Sequence, residues 1–221
     1  MREENRGMGT RVEAALGSRG MGSHSGEEPK VYEVELKFPL ADRSAVEGTL
    51  VRLAADFRPV IEQADVYFAH PSRDFAQTDE ALRLRREGEA VAITWKGPRI
   101  GQGAKTRREI ELPLAAMPPA LSGPATLEAW SELLTALGFR RVWEVVKRRR
   151  PARLLWEGRA VEVAIDTVAG LGDFLELEIV TSEAEIPQAH ACLQSLAAKI
   201  GCGQPERRSY LERLLAARPS D

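Results

Sequence analysis

Val31-Tyr32-Glu33-Val34-Glu35-Leu36-Lys37-Phe38 is the stretch that decides the fold. Successive side chains of a strand point to opposite faces, so Glu33, Glu35 and Lys37 share one face and the apolar residues share the other. The pattern recurs downstream. Arg83 and Arg85 alternate with Leu82 and Leu84, and Thr94 and Lys96 with Ile93 and Trp95. Arg107, Glu109 and Glu111 lie opposite Ile110 and Leu112, while Lys147 and Arg149 share another face. Glu162 and Asp166 oppose Val161, Val163 and Ile165, and Glu176 and Glu178 oppose Leu175, Leu177 and Ile179. A single strand of this kind ordinarily turns its charges to water. Across six or seven strands, however, the polar faces carry almost only Arg, Lys, Glu and Asp, with few of the Ser, Thr, Asn and Gln of a wet face. The recurrence points to a barrel with apolar faces outward under helices and charged faces lining the lumen. Buried like charges repel, so such a lumen requires partners or ligands, and a polyphosphate with a divalent metal supplies the counter-charge.

Composition excludes several alternatives. With 221 residues, 43% of them hydrophobic, the chain can bury a sizeable core. Its 31 basic and 33 acidic residues leave a net charge of -2, without the basic excess that nucleic-acid binding wants. The run Arg148-Arg149-Arg150 reads as a solvated strand end. Cys192 and Cys202 lack zinc-like spacing and read as buried or idle thiols. Histidines at 24, 70 and 190 give little material for a histidine metal site or a Ser-His-Asp triad. No apolar stretch approaches a membrane span and no apolar signal core opens the chain, so no membrane association and a cytoplasmic location are expected.

Residues 1–29, rich in Gly, Ser, Arg and Glu, are expected to be a disordered extension, with Met21 an alternative start. A single domain is expected over 30–217. Strands are predicted near 31–38, 60–69, 80–87, 90–97, 104–112, 140–149, 152–157, 159–166 and 173–180. Glu87-Gly88-Glu89 and Glu157-Gly158 mark turns, and Pro113, Pro118 and Pro119 are expected to break the chain. Helices are predicted from Asp42 to Ala55, with Asp42 or Ser44 as cap and Val46, Leu50 and Leu53 inward. Others run from Thr126 to Leu137, Glu183 to Ile200 and Arg207 to Ala217. Many strands, short connections and few helices imply an α+β fold built on an antiparallel barrel.

The chemistry suits a phosphate ligand. Clustered carboxylates are hard donors for magnesium or manganese. Lys and Arg at several depths neutralise a triphosphate, Arg through forked donors. Phosphoryl chemistry needs mainly positioning and charge stabilisation, so the scarcity of histidine and reactive cysteine is no obstacle.

The Glu-x-Glu-x-Lys opening resembles the signature of the CYTH superfamily, the triphosphate tunnel enzymes. Asp65-Val66-Tyr67-Phe68, Ala81-Leu82-Arg83-Leu84-Arg85, Thr94-Trp95-Lys96-Gly97-Pro98 and Arg107-Arg108-Glu109-Ile110-Glu111 follow in the family's order. So do Val146-Lys147-Arg148-Arg149 and the block from Asp166 to Glu178, and the likeness covers about residues 30 to 216. The resemblance implies an eight-stranded antiparallel barrel, the triphosphate tunnel fold, that binds a triphosphate with Mg2+ or Mn2+. By position, Glu33, Glu35, Glu176 and Glu178 look like metal ligands. Lys37, Arg83, Arg85, Lys96, Arg107, Lys147 and Arg149 look like phosphate contacts. Lys37, Arg85, Lys147 and Asp166 form the implied catalytic set, Asp166 by binding metal or orienting a basic neighbour, with Glu109 and Glu111 as partners for the bases.

The block Gly170-Leu171-Gly172-Asp173-Phe174-Leu175-Glu176-Leu177-Glu178 and the late Arg208-Ser209-Tyr210-Leu211-Glu212-Arg213-Leu214-Leu215 look most like class IV adenylyl cyclases. Thiamine triphosphatases share much of the first block. The resemblance thus implies conversion of ATP to 3′,5′-cyclic AMP and pyrophosphate. The alternative is hydrolysis of inorganic triphosphate, thiamine triphosphate or a nucleoside triphosphate. A non-catalytic polyphosphate binder would gain little from so many carboxylates. Ser209 and Tyr210 read as a helix cap and a packed aromatic rather than ligand contacts, and Tyr67 and Phe68 as strand core. Trp95 and Trp156 face outward under helices. Either a monomer or a homodimer is compatible with the pattern.

Overall fold

The computed structural model describes residues 31–100, 105–114 and 123–218. The expected extension over 1–29, the strand start at 104 and the breaks at Pro118 and Pro119 lie outside the described residues. In chain order the elements are β1 (Val31–Pro39), α1 (Arg43–Arg52), β2 (Asp56–Phe57), β3 (Ile61–Ala69) and α2 (Phe75–Thr78). Then come β4 (Ala81–Glu87), β5 (Ala90–Lys96), β6 (Lys105–Leu114), α3 (Gly123–Ala136) and β7 (Arg140–Trp156). β8 (Arg159–Val168), β9 (Gly172–Ser182), α4 (Ile186–Ile200) and α5 (Tyr210–Ala216) complete the chain.

Eight strands close into an antiparallel barrel in the order β7-β3-β4-β5-β6-β1-β9-β8, with β8 returning to β7, while the two-residue β2 adds to β7. Closure leaves the barrel strands without a long free edge. The apolar faces turn outward and are covered by helices. Val34 and Leu36 of β1, Val161 and Ile165 of β8 and Leu175 and Leu177 of β9 pack against Leu50 of α1 and Leu193 and Leu196 of α4. On the other side Val66, Phe68, Leu82, Leu84 and Val91 meet Leu127 and Leu134 of α3, with Trp95 beside them. Each such aliphatic side chain contributes about 1.5–3 kcal/mol when fully buried. Trp156 lies against the α1/α4 side, its indole N–H donating to Ser195 Oγ at 3.3 Å. Both tryptophans therefore pack where the alternation put them.

Two predicted interruptions are corrected. The separate strands at 140–149 and 152–157 form one strand, β7, running through Pro151. A mid-sheet proline costs a ladder hydrogen bond only where a partner waits for its N–H. Here β3 pairs β7 as far as Arg149 and β2 begins at Ala152, so Pro151 sits in the gap between two neighbours. Pro113 likewise does not break β6, which runs on to Leu114 with Pro113 opposite Ala92 of β5.

Helix ends shift: α3 begins at Gly123, ahead of the predicted Thr126, while others are trimmed. Asp42 caps α1, accepting from the Ala45 N–H at 2.9 Å, so α1 begins at Arg43. Residues 183–185 form a 3-10 turn ahead of α4, and α5 starts only at Tyr210. The short β2 and α2 have no periodicity long enough to signal them. The Glu157-Gly158 turn joins β7 to β8 with both residues at positive φ, 47° and 76°, the geometry that a two-residue hairpin needs. No helix among the described residues is long and apolar enough to cross a membrane.

Candidate active site: a charged bore through the barrel

The inward faces enclose a cavity of about 690 Å3, within the ordinary range for a small-molecule site. The structure places Glu33, Glu35, Lys37, Arg83, Arg85, Lys96, Arg107, Glu109, Lys147, Arg149, Glu176 and Glu178 along its wall. Asp166, fully buried, lies just behind and meets Lys147 and Arg149. Glu111 reaches Thr94 Oγ1 at 2.8 Å and comes within 3.6 Å of Arg83 Nη2. Glu162 instead pairs with the exposed Arg153. The strand-period selection thus converges on one enclosed space.

Strand order decides who faces whom. The carboxylates Glu33, Glu35, Glu176 and Glu178 stand on adjacent strands β1 and β9, whereas Arg83 and Arg85 stand on β4. Counting round the barrel, β4 lies four strands from β9, on the opposite wall. A polyanion bound to that basic wall would present its oxygens toward the acidic one.

Among the described residues, most buried charges pair with an opposite charge. Asp65 receives a forked pair from Arg85, both contacts at 2.6 Å, and Arg83 approaches it at 3.4 Å. Lys105 holds Glu35 at 2.9 Å, and Lys96 pairs with Glu109. Arg149 forks onto Asp166 at 2.8 and 2.6 Å and also binds Glu176, while Lys147 reaches Asp166 at 3.2 Å. Lys37 differs: its ammonium donates to the Arg208 carbonyl oxygen at 2.6 Å.

Burial and Coulomb attraction compete at each group, and the sign of the result shows which wins. Burial alone would raise the Asp65 carboxyl, yet Arg85 and then Arg83 hold it well below the usual carboxylate range. Burial would raise Glu176 too, and Arg149 and Lys147 pull it well down. For Lys37, burial reinforced by the neighbouring Lys105 prevails and lowers it to about 7. Burial, then Arg149, lowers Lys147 to about 8. Lys105 is raised despite burial because Glu35 and Glu176 face it. Of the adjacent pair, Lys105 keeps its proton at the expense of Lys37.

The donors suit a hard divalent cation. Glu35 stands directly opposite Glu178 across β1/β9, a like-charge juxtaposition that costs stability without a cation nearby. Among the described residues, no three metal-ligating side chains gather into a ready-made cage. A magnesium-like ion takes one or two carboxylates and completes its shell with water and phosphate oxygens, and Glu35 and Glu176 could supply them.

Four contributors escaped the sequence selection. Lys105 stands two residues before Arg107 and shares its face, so extending the alternation by one step would have found it. Asp65 lay in a motif already singled out, on the inward face of β3. Tyr67 is buried but lines the cavity as well as packing, so its assignment to strand core was incomplete. Ser209 does cap α5, in a reciprocal box with Glu212, but Tyr210 reaches the bore, its hydroxyl donating to Asp166 Oδ2 at 3.1 Å. Arg149 corrects the solvated reading of the 148–150 run: strand alternation sends it inward, leaving Arg148 exposed and Arg150 bonded to Glu47 at 2.7 Å. Cys192 is buried against the Trp156 carbonyl, and burial pushes the Cys202 thiol up to about 11, so neither is poised to react.

Comparisons with known proteins agree with this geometry. A Methanocaldococcus jannaschii protein provisionally named an adenylate cyclase is 35% identical over 187 residues, spanning 82% of this chain and 98% of its own. An Aeromonas hydrophila protein named adenylate cyclase CyaB is 30% identical over 183 residues, spanning 81% and 86%. Among solved structures, the PH1819 protein of Pyrococcus horikoshii shares 37% identity at a TM-score of 0.72, covering 84% of this chain and 99% of its own. A Hippeastrum protein, described as an adenylyl cyclase candidate with a dominant triphosphatase activity, shares the fold at a TM-score of 0.56 and 17% identity, covering 86% and 97%. The CYTH domain profile matches residues 31–209. With an eight-stranded barrel whose ionic faces turn inward and relatives matched over four-fifths of its length, this chain belongs to the CYTH domain family.

Proposed function

We propose that the protein converts ATP to 3′,5′-cyclic AMP and pyrophosphate in the bore. The observation that carries this is the enclosed cavity in which Arg83 and Arg85 of β4 stand opposite the carboxylates of β1 and β9, with Lys147 and Arg149 of β7 on the wall beside them. The basic wall takes the β- and γ-phosphate oxygens, with the forked guanidiniums fixing their orientation. Glu35 and Glu176, supported by Glu33 and Glu178, would hold Mg2+ or Mn2+. Such an ion supplies charge neutralisation and polarisation of phosphate oxygens. Asp166 keeps Lys147 and Arg149 aligned. The ribose 3′ oxygen passes its proton to water and bonds to the α-phosphorus as the bond from that phosphorus to the bridging oxygen breaks, the bridging oxygen leaving with the pyrophosphate. Lys37, Arg85 and Lys147 stabilise the charge on the departing pyrophosphate. Lys96 and Arg107 serve the outer phosphates.

Cyclisation is favoured over hydrolysis because the two curated relatives at 30% identity or more carry cyclase names. Hydrolysis would use the same groups with water as nucleophile, and the plant neighbour's triphosphatase activity makes it the outcome to separate. The test offers ATP, inorganic triphosphate and thiamine triphosphate separately with Mg2+ or Mn2+ and identifies products by mass spectrometry. Cyclic AMP from ATP, abolished in Glu35→Ala, is expected. Inorganic phosphate without cyclic nucleotide would assign hydrolysis instead. We further propose a cytoplasmic enzyme, acting as a monomer or homodimer, without nucleic-acid or membrane partners.

A further inference from the structure

Tyr210 is the first residue of α5, a helix that arrives from the far end of the chain. Its ring is 6% exposed and sits between two inward-facing lysines. Lys37 Nζ lies 4.2 Å from the ring centroid and Lys147 Nζ 5.2 Å from it, both within cation–π range. Phe174 meets the same ring edge-on at 5.0 Å, fixing its plane. The hydroxyl donates to Asp166 Oδ2, the oxygen that also accepts from Lys147 and Arg149. The segment before α5 adds to this hold. The Glu206 N–H donates to the Lys37 carbonyl at 2.7 Å, and the Arg208 carbonyl accepts from Lys37 Nζ. The Ser209–Glu212 box sets where α5 begins, and therefore where the ring lies.

A ring suits this position for a reason of charge. A carboxylate between two ammoniums would neutralise them and compete with an incoming polyanion. A phenol attracts both through its π face while leaving their positive charge available to a ligand. Burial, with Glu176 and Asp166 nearby, pushes the Tyr210 hydroxyl well above its ordinary range, so it remains a neutral donor. We propose that Tyr210 is a positioning residue of the bore, its ring seating the Lys37 and Lys147 ammoniums and its hydroxyl fixing Asp166, so that a C-terminal helix sets the lysine geometry for a triphosphate. This rests on the polyphosphate function proposed above.

The test compares Tyr210→Phe and Tyr210→Leu in the full chain. Inorganic triphosphate binding is measured by calorimetry and folding by thermal melting. Phe keeps the ring and should bind within about threefold of the parent. Leu keeps the apolar packing but loses the π face and should bind at least tenfold more weakly, about 1.4 kcal/mol, while still melting cooperatively. A purely structural role would make the two variants weaken binding in step with their melting temperatures. A folded Tyr210→Leu with parental affinity, or affinities that follow melting temperature, overturns the assignment alone. Failure of the parent protein to bind triphosphate at all overturns the polyphosphate function, and the assignment with it.

Discussion

Raising the pH through the range where Lys37 and Lys147 lose their protons should weaken triphosphate binding steeply. An ordinary lysine stays charged to about 10.4, but burial and basic neighbours bring Lys37 to about 7 and Lys147 to about 8. A group with a depressed value is charged below it and neutral above it, so the cationic bore is complete only on the acid side. With those values, at pH 8 Lys37 should be deprotonated in about nine molecules in ten and Lys147 in about half. A phosphate about 4 Å away is worth on the order of 4 kcal/mol to each ammonium at an effective dielectric near 20, against about 1.4 kcal/mol per unit of pKa. Binding therefore restores both protons, and roughly 1.4 should be taken up per ligand at pH 8. Between pH 7 and 9, affinity should fall on the order of 500-fold by the same linkage. Calorimetry with inorganic triphosphate in two buffers of different ionisation enthalpy counts the protons. Inorganic triphosphate carries a weakly acidic proton on each terminal phosphate, so the ligand's own titration is measured alone and subtracted. No proton uptake at pH 8, together with flat affinity from 7 to 9, would refute the proposed lysine environment or their contact with the ligand.

Asp65→Asn removes the charge that two buried guanidiniums share. The cost should be about 2–4 kcal/mol, read from urea unfolding, because the remaining cations are left uncompensated. Added triphosphate should return part of it, and a loss below about 0.5 kcal/mol would contradict the pairing. Leu193→Ala, at a fully buried position of α4 against the β1/β8/β9 sheet, should cost about 2–5 kcal/mol. If α4 were only loosely docked, the urea midpoint would barely move.

The barrel's inside and outside were legible in the sequence because strand alternation is local: a side chain two residues on returns to the same face whatever lies across the sheet. Alternation put Glu33, Glu35 and Lys37 on one face, and likewise Arg83 with Arg85 and Glu176 with Glu178; the recurrence of such faces over six or seven strands turned them inward. Helix positions were legible for a similar reason, since caps such as Asp42 and Ser209 act within one turn. Pairing was not legible. Whether Glu35 meets Lys105 or Lys37 depends on the register of β1 against β6 and β9, which long-range contacts set. Pro151 within a continuous strand depends on where β3 stops and β2 starts, which are separate stretches of chain. Asp65 was passed over because one carboxylate among apolar neighbours carries no period of its own. The Lys37 ammonium donates to a carbonyl 171 residues away, and nothing in the local sequence of either partner announces the other. Sequence alone determined most of the charged side chains that line the bore, though not Lys105 or Asp65, nor the ring of Tyr210. Tertiary structure decided which of them are neutralised and which stand ready for a ligand, because a buried charge takes its energy from neighbours that only the closed barrel brings within reach.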